Sequence, residues 1–205
     1  LALAQAQDGA GQDAALAQTL ARLHAQPPLP LEQREDLAQL DAWLAAREAR
    51  ALDAQGRYRS ALARLDAALQ AQPDNRRLQI ARAEVLTDDG RYGKAGPLYR
   101  QLLADDGADR STRIDYARML RLSGDAAAAR EQLDRVQAQT PADDLDTRLS
   151  LSRHWLALDD AQAARAVIAP LQLTAGDAPE VWTQLGRIEL AQRNYALAKT
   201  DFEKA

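Results

Sequence analysis

Cysteine is absent from the 205 residues, which removes disulfides, zinc–thiolate sites and thiol nucleophiles together. Histidine occurs twice. His24 sits near the end of a helix, where the helix dipole favours a cation, and His154 adjoins Trp155. Neither has a partner at the HxxxH or HExxH spacing of a metal site, so both read as structural. There is no GxSxG elbow, no Gly-rich phosphate loop and no His paired with a nucleophile. These gaps predict a chain that is not an enzyme, with no catalytic residue, metal or cofactor. No apolar run approaches the ~18 to 20 residues a membrane helix needs, and no signal peptide is visible. The net charge is −4, with both signs interspersed, so no nucleic-acid footprint shows. β-branched residues are few. The chain is dominated by Ala, Leu, Arg, Gln and Asp, which is helix-forming material throughout.

What is present is a period. The stretch GRYRSALARLDAALQAQPDN places Gly56, Tyr58, Ala61, Leu65, Ala68 and Pro73 in a fixed frame. One step of 34 residues returns Gly90, Tyr92, Ala95, Tyr99, Leu102 and Gly107. A second gives Gly124, Ala126, Ala129, Leu133, Val136 and Pro141. A step of 35 gives Asp159, Ala161, Ala164, Ile168 and Leu171, and a last step of 34 gives Arg193, Tyr195, Ala198, Phe202 and Ala205. Small and apolar residues held in phase at this spacing mark a helical repeat array.

Each place in the frame has a physical role. The glycine ends one helix in the left-handed region, where a residue without Cβ enters cheaply. The alanine five residues on lets two helices approach closely. The large apolar residue four further on lies on the same helix face and fills the space between helices. Pro73 and Pro141 stop the second helix. Over residues 40 to 205 the chain resembles the tetratricopeptide-repeat family. The resemblance implies an all-α, right-handed α-solenoid of tetratricopeptide (helix-turn-helix) repeats. The last repeat follows the family pattern most fully, through Trp182, Leu185, Gly186, Tyr195, Ala198, Phe202 and Ala205. Glu189 departs from it, standing where an aromatic or apolar residue is usual.

The expected segments are a degenerate leading helix pair over 1–30 and a repeat with an extended first helix over 31–75. Repeats follow over 76–109 and 110–143, then an irregular one over 144–178 and a truncated last one over 179–205. Residues 1–11 read as the tail of a helix ending at Gly9 and Gly11, and 12–26 as an Ala/Leu helix broken by Pro27, Pro28, Leu29 and Pro30. A single long helix is predicted over 31–55, with Leu37, Leu40, Leu44 and Ala51 on one face. Ala15 and its equivalent Ala61 lie 46 residues apart, an insertion of about a dozen over the period. That insertion predicts a bend near residues 27–45; the alternative is an ordinary long helix on a rigid array. Asp74 and Asp109 can cap helix starts. Pro97 is expected in the first turn of its helix, whereas Pro170 should kink or end the helix it falls in. The Asp pairs 88/89, 105/106, 143/144 and 159/160 read as turn and capping residues. Both ends of the chain look cut, as in a piece of a longer solenoid.

In the family, the first helix of each repeat lines a concave groove where ligands bind. Six residues before the turn position stand Arg50, Glu84, Arg118, Arg153 and Arg187, expected to stack as a ladder. Neighbouring groove positions add Trp43, Arg77, Asp88, Arg121 and Glu180. Guanidinium groups can bind carboxylate or phosphate, or lie on sugar and aromatic faces; equally, they can pair with acids of adjacent repeats. Trp43 is either a groove indole for a sugar ring or apolar anchor, or packing under the inserted helix segment. Trp155, Trp182, Tyr195 and Phe202 occupy core positions.

A finer resemblance concerns GRYRSALARLDAALQAQPDN, GRYGKAGPLYRQLLADD and LDDAQAARAVIAPL. These are similar to the periplasmic repeat region of the cellulose synthase subunit that ends in an outer-membrane barrel. That resemblance implies a non-catalytic periplasmic scaffold for exopolysaccharide (cellulose) synthesis and secretion. Its partners would be proteins of the synthase machine and a polysaccharide chain, with no nucleic acid and no membrane contact in this stretch. A second reading is a protein–protein interaction module docking a peptide or chaperone; the Lys and Asn of the family's carboxylate clamp are missing. A third is the repeat extension of an enzyme such as a glycosyltransferase.

Overall fold

The computed structural model describes residues 1–26, 30–105 and 109–205. Those residues fold into α-helices, in two compact units that divide between Leu102 and Leu103. The first unit holds α1 (Ala2–Gly9), α2 (Asp13–His24), α3 (Leu31–Asp53), α4 (Tyr58–Ala71), α5 (Arg76–Asp88) and most of α6 (Tyr92–Asp105). The second holds α7 (Arg110–Leu122), α8 (Ala126–Ala138), α9 (Leu145–Leu156) and α10 (Ala161–Ile168). It continues with α11 (Leu171–Thr174), α12 (Pro179–Ala191) and α13 (Tyr195–Lys204). The fold class is the all-α right-handed solenoid of tandem helix-turn-helix repeats.

The turn recurs with one build in the five periodic repeats, and Gly11 (φ +66°), with Gln12 N–H donating to Gln7 at 2.9 Å, repeats it between α1 and α2. Gly56, Gly90 and Gly124 adopt φ of +70°, +71° and +92°. At the equivalent positions Asp159 and Arg193 take φ of 59° and 64° without being glycine. The amide that follows each of these residues reaches back across the turn. Arg57, Arg91, Asp125, Asp160 and Asn194 donate to the carbonyls of Leu52, Leu86, Leu120, Trp155 and Glu189 at 2.8 to 3.0 Å. This is the Schellman closure, which satisfies carbonyls the helix end would leave open. Several helices start on a side-chain cap, α8 and α10 directly after this turn and α5, α7 and α9 at the joints between repeats. Asn75, Asp109, Asp125, Asp144 and Asp160 accept from the backbone amide three residues on, at 2.9 to 3.2 Å. Asp109 thus caps as expected. In the preceding turn the cap is Asn75 and not Asp74, because Asn75 is the residue immediately before α5.

Within each unit the apolar faces meet as the frame requires. Ala61, Leu65, Ala95, Tyr99 and Leu102 are buried in the first unit, and Ala129, Leu133, Val136, Ala164, Ile168, Leu171 and Ala198 in the second. In the first unit α1 and α5 both pack on α3; in the second α7 and α12 both pack on α9. First helices therefore lie side by side, and residues one period apart become neighbours. Pro170 ends α10, which stops at Ile168, and a short α11 begins at Leu171.

Four expectations change. Ala51 is exposed, because it lies past the stripe of Leu40, Leu44 and Ala45 that faces the core. Pro97 lies inside α6, which starts earlier at Tyr92 because the Gly90 turn sets its beginning. Tyr195 and Phe202 are exposed: α13 packs on α12 and buries chiefly Ala198. Phe202 still lies across Gly186, where an added Cβ would come within 2.8 Å of three ring carbons. Pro27, Pro28, Leu29, Asp106 and Gly107 lie outside the described residues, and with them the start of the expected bend.

Candidate functional site

The positions expected to line a groove in the first unit lie on α3 and α5. Trp43 is 40% exposed, and the Arg77 guanidinium carbon lies 4.8 Å from the centre of its ring. Seven residues further along α3, Arg50 Nε donates to Glu84 Oε2 at 3.2 Å. Both contacts join residues one period apart. The face of this unit is thus partly neutralised: the acid at ladder position 84 takes up the arginine of the repeat before it.

The second unit presents a different face. Arg118 and Arg121 project from α7, Arg153 from α9 and Arg187 from α12. Arg118 and Arg121 are half-buried, Arg153 and Arg187 exposed. Arg121 Nε is enclosed with no hydrogen-bond partner among the described residues. Neither Arg153 nor Arg187 makes an ion pair among the described residues, although acids are more numerous than bases overall. His154 lies among these guanidinium groups. Its Nδ1 is 2.8 Å from the Ser150 carbonyl, a contact that suits an N–H donating one turn back. Burial pushes its pKa down, and the charges of Arg121, Arg153 and Arg118 add to that against the Ser150 hydrogen bond. Of the other positions expected in the groove, Glu180 is exposed and Asp88 half-buried. Leu122 is exposed and Leu156 half-buried beside the arginines.

Two buried polar clusters escaped the sequence reading. Arg148, on α9, is buried. It donates from Nε to the Pro141 carbonyl at 2.6 Å, from Nη1 to Val167 at 2.7 Å and from Nη2 to Thr140 at 3.0 Å. One side chain thereby satisfies carbonyls near the ends of α8 and α10. Glu189 is also buried, and its departure from the family pattern has a local answer. Arg165 of α10 donates to Glu189 Oε1, and Asn194 Nδ2 donates to Oε2 at 2.8 Å. Desolvation pushes this carboxyl up, but the Asn194 and Arg165 hydrogen bonds and the Arg165 charge outweigh it, leaving its pKa below the ordinary value. An acid in an apolar frame position is itself a signal of a basic partner on a neighbouring helix.

Among the described residues, no group of three or more His, Asp or Glu is placed to hold a metal ion. No helix among them is long and apolar enough to cross a membrane.

Comparison with known proteins agrees with this architecture. A "Tetratricopeptide repeat" family model matches residues 86–145, and a "YpiA-like, tetratricopeptide repeats" model matches residues 54–107. No curated protein matches the chain. Among solved structures, TPR-like repeats of a putative kinesin light chain from Podosopora anserina superpose with a TM-score of 0.61 at 18% identity. That match covers 78% of this chain and 90% of the other. Pseudomonas aeruginosa pilF gives 0.60 at 17% identity, covering 82% and 76%. A thermophilic TPR protein from Thermus thermophilus gives 0.57 at 18%, covering 80% and 89%. Likeness at these identities concerns the fold.

Proposed function

We propose that this chain is a tetratricopeptide-repeat scaffold module for protein–protein interaction, in which the second unit grips an acidic segment of a partner. The observation that carries the proposal is the pair Arg153 and Arg187, exposed on adjacent first helices without acidic partners among the described residues. Arg118 and Arg121 extend the same line onto α7. Guanidinium groups at repeat spacing suit carboxylates presented along an extended peptide. The exposed Leu122 and half-buried Leu156 add apolar contact between the charges. The test is a titration of the 205-residue chain with a fluorescently labelled oligo-glutamate peptide. The Arg118→Glu/Arg153→Glu variant should weaken capture by about tenfold or more, and capture should fall with salt. Undiminished capture by a variant of normal helicity removes the reading.

A second reading places the chain in the periplasm, as the repeat region of an exopolysaccharide (cellulose) secretion protein, touching polymer and synthase partners. It is supported by the repeat phrases and by the exposed indole of Trp43. NMR titration with cello-oligosaccharides tests it: shifts along Trp43, Arg77 and the groove arginines support it. Silence at millimolar sugar removes the polymer contact.

A further inference from the structure

The first unit contains a pocket of about 340 Å³ between α1 and α3, within the size range of small-ligand sites. Its walls include Gln5 and Asp8 from α1, and Asp36, Gln39, Leu40 and Trp43 from α3. Leu40 and Asp8 are buried, while Trp43 and Asp36 are open to solvent. The pocket therefore has an apolar floor, an indole wall and a carboxylate at its mouth.

The charges decide what can enter. Arg47 lies 2.7 Å from Asp8 and 2.8 Å from Asp13. One guanidinium against two carboxylates leaves one negative charge behind the pocket wall. Asp36 adds another at the mouth, where the neutral amide of Gln5 approaches it at 3.4 Å. The cation against the indole is Arg77, which reaches Trp43 from α5, a helix that packs on α3 as α1 does. Arg77 thus belongs to the neighbouring helix hairpin and is absent from the residues that line the cavity.

We infer that this pocket receives the guanidinium of an arginine side chain on a partner protein. A planar cation can lie against the indole, pair with Asp36 and rest its methylene stem on Leu40. A neutral sugar would gain the stacking but nothing from the acidic excess, and an anion would meet the net negative charge that Asp8, Asp13 and Asp36 keep over Arg47 and Arg77. The contact of Arg77 with Trp43 shows that the indole already accepts this kind of group within the molecule. This surface and the arginine face of the second unit carry opposite charge, and the inference stands apart from the function proposed for that face.

The test uses the whole chain, with the Trp43 indole resonance assigned from Trp43→Phe. The probes are Nα-acetyl-arginine methylamide, its neutral citrulline counterpart and cellotriose. The arginine probe should shift the Trp43 indole and the Asp36 and Gln39 amides, with citrulline about tenfold weaker. Asp36→Asn should weaken the arginine probe by about threefold. Arg77→Gln should tighten it, because a competing like charge is gone. Equal response to citrulline or cellotriose overturns the inference, as does an unchanged or weaker arginine affinity in Arg77→Gln. Unaltered binding in Asp36→Asn, or no indole shift at all, also overturns it. Oligo-glutamate capture by the second unit is read separately, so either proposal can fail alone.

Discussion

Arg50 and Glu84 occupy the same place in successive repeats, and Arg50 Nε donates to Glu84 Oε2 at 3.2 Å. The acid interrupts the arginine series in the first unit and quenches its neighbour. Replacing Glu84 with Arg should therefore change surface charge far more than stability. An exposed ion pair contributes about 0 to 1 kcal/mol, so the melting temperature should move by no more than about 4 °C. Oligo-glutamate affinity should rise. A large loss of melting temperature would mean that the pair holds α3 to α5.

The turn residue of the last repeat invites a stabilising change. Arg193 holds φ at 64°, a region that costs a non-glycine residue about 1 to 2 kcal/mol. Arg193→Gly removes that cost and adds somewhat less in unfolded-state entropy. A net gain of about 0.5 to 1 kcal/mol is expected, read as a higher urea midpoint. Arg193→Ala, which keeps a Cβ, should give no such gain. Equal midpoints for the glycine and alanine variants would sink the argument.

Arg148 should be among the costliest residues to remove. Arg148→Met leaves the carbonyls of Pro141, Thr140 and Val167 without their guanidinium donors. The Val167 and Thr140 carbonyls meet the guanidinium in buried bonds, and each unmet buried acceptor costs about 1 to 3 kcal/mol, so a loss of about 2 kcal/mol or more is expected in urea unfolding. Arg148→Lys keeps the charge but not the fork, and should recover only part of it. A loss below about 1 kcal/mol in Arg148→Met would show that water replaces the guanidinium.

Acid should destabilise the second unit in two windows. His154 is held below its ordinary pKa, so below about pH 6.5 the unfolded chain takes up a proton the folded one declines. Its stabilising share is lost as pH falls from there toward the folded value. Glu189 is also lowered; its share is intact above about pH 4.3 and is lost as pH falls through its folded value. Urea midpoints measured against pH should show both slopes. His154→Gln should flatten the upper window alone, and Glu189→Gln the lower. A slope between about pH 5.5 and 7 that survives His154→Gln would place the effect elsewhere.

The turns and the shared core were legible because they depend on the local backbone. A glycine at Gly56, Gly90 or Gly124 announces a left-handed residue, and Ala61 or Ala129 announces close helix approach. Side chains whose surroundings come from a different helix were not legible. Glu189 looked misplaced until Arg165 and Asn194 stood beside it, and nothing local marks Arg148 as a triple donor. Tyr195 and Phe202 carry the core signature, yet exposure depends on what packs over them, and α13 meets α12. At the candidate sites the sequence singled out Trp43 and Arg77, and the two side chains touch. The acidic pocket beside Trp43 needed α1 brought against α3, a pairing that no period in the sequence announces.

The links Trp43–Arg77, Arg50–Glu84 and Arg110–Asp144 each span 34 residues. A bond whose length in sequence equals the unit of duplication behaves like a thread pitch. Copying a whole block renews the bond at the new joint, and deleting one rejoins the surviving halves. Insertion of a single residue between the two partners throws that joint out of phase. The chemistry of these contacts therefore favours lineages that lengthen or shorten by complete blocks, with the surface left free to vary from one block to the next.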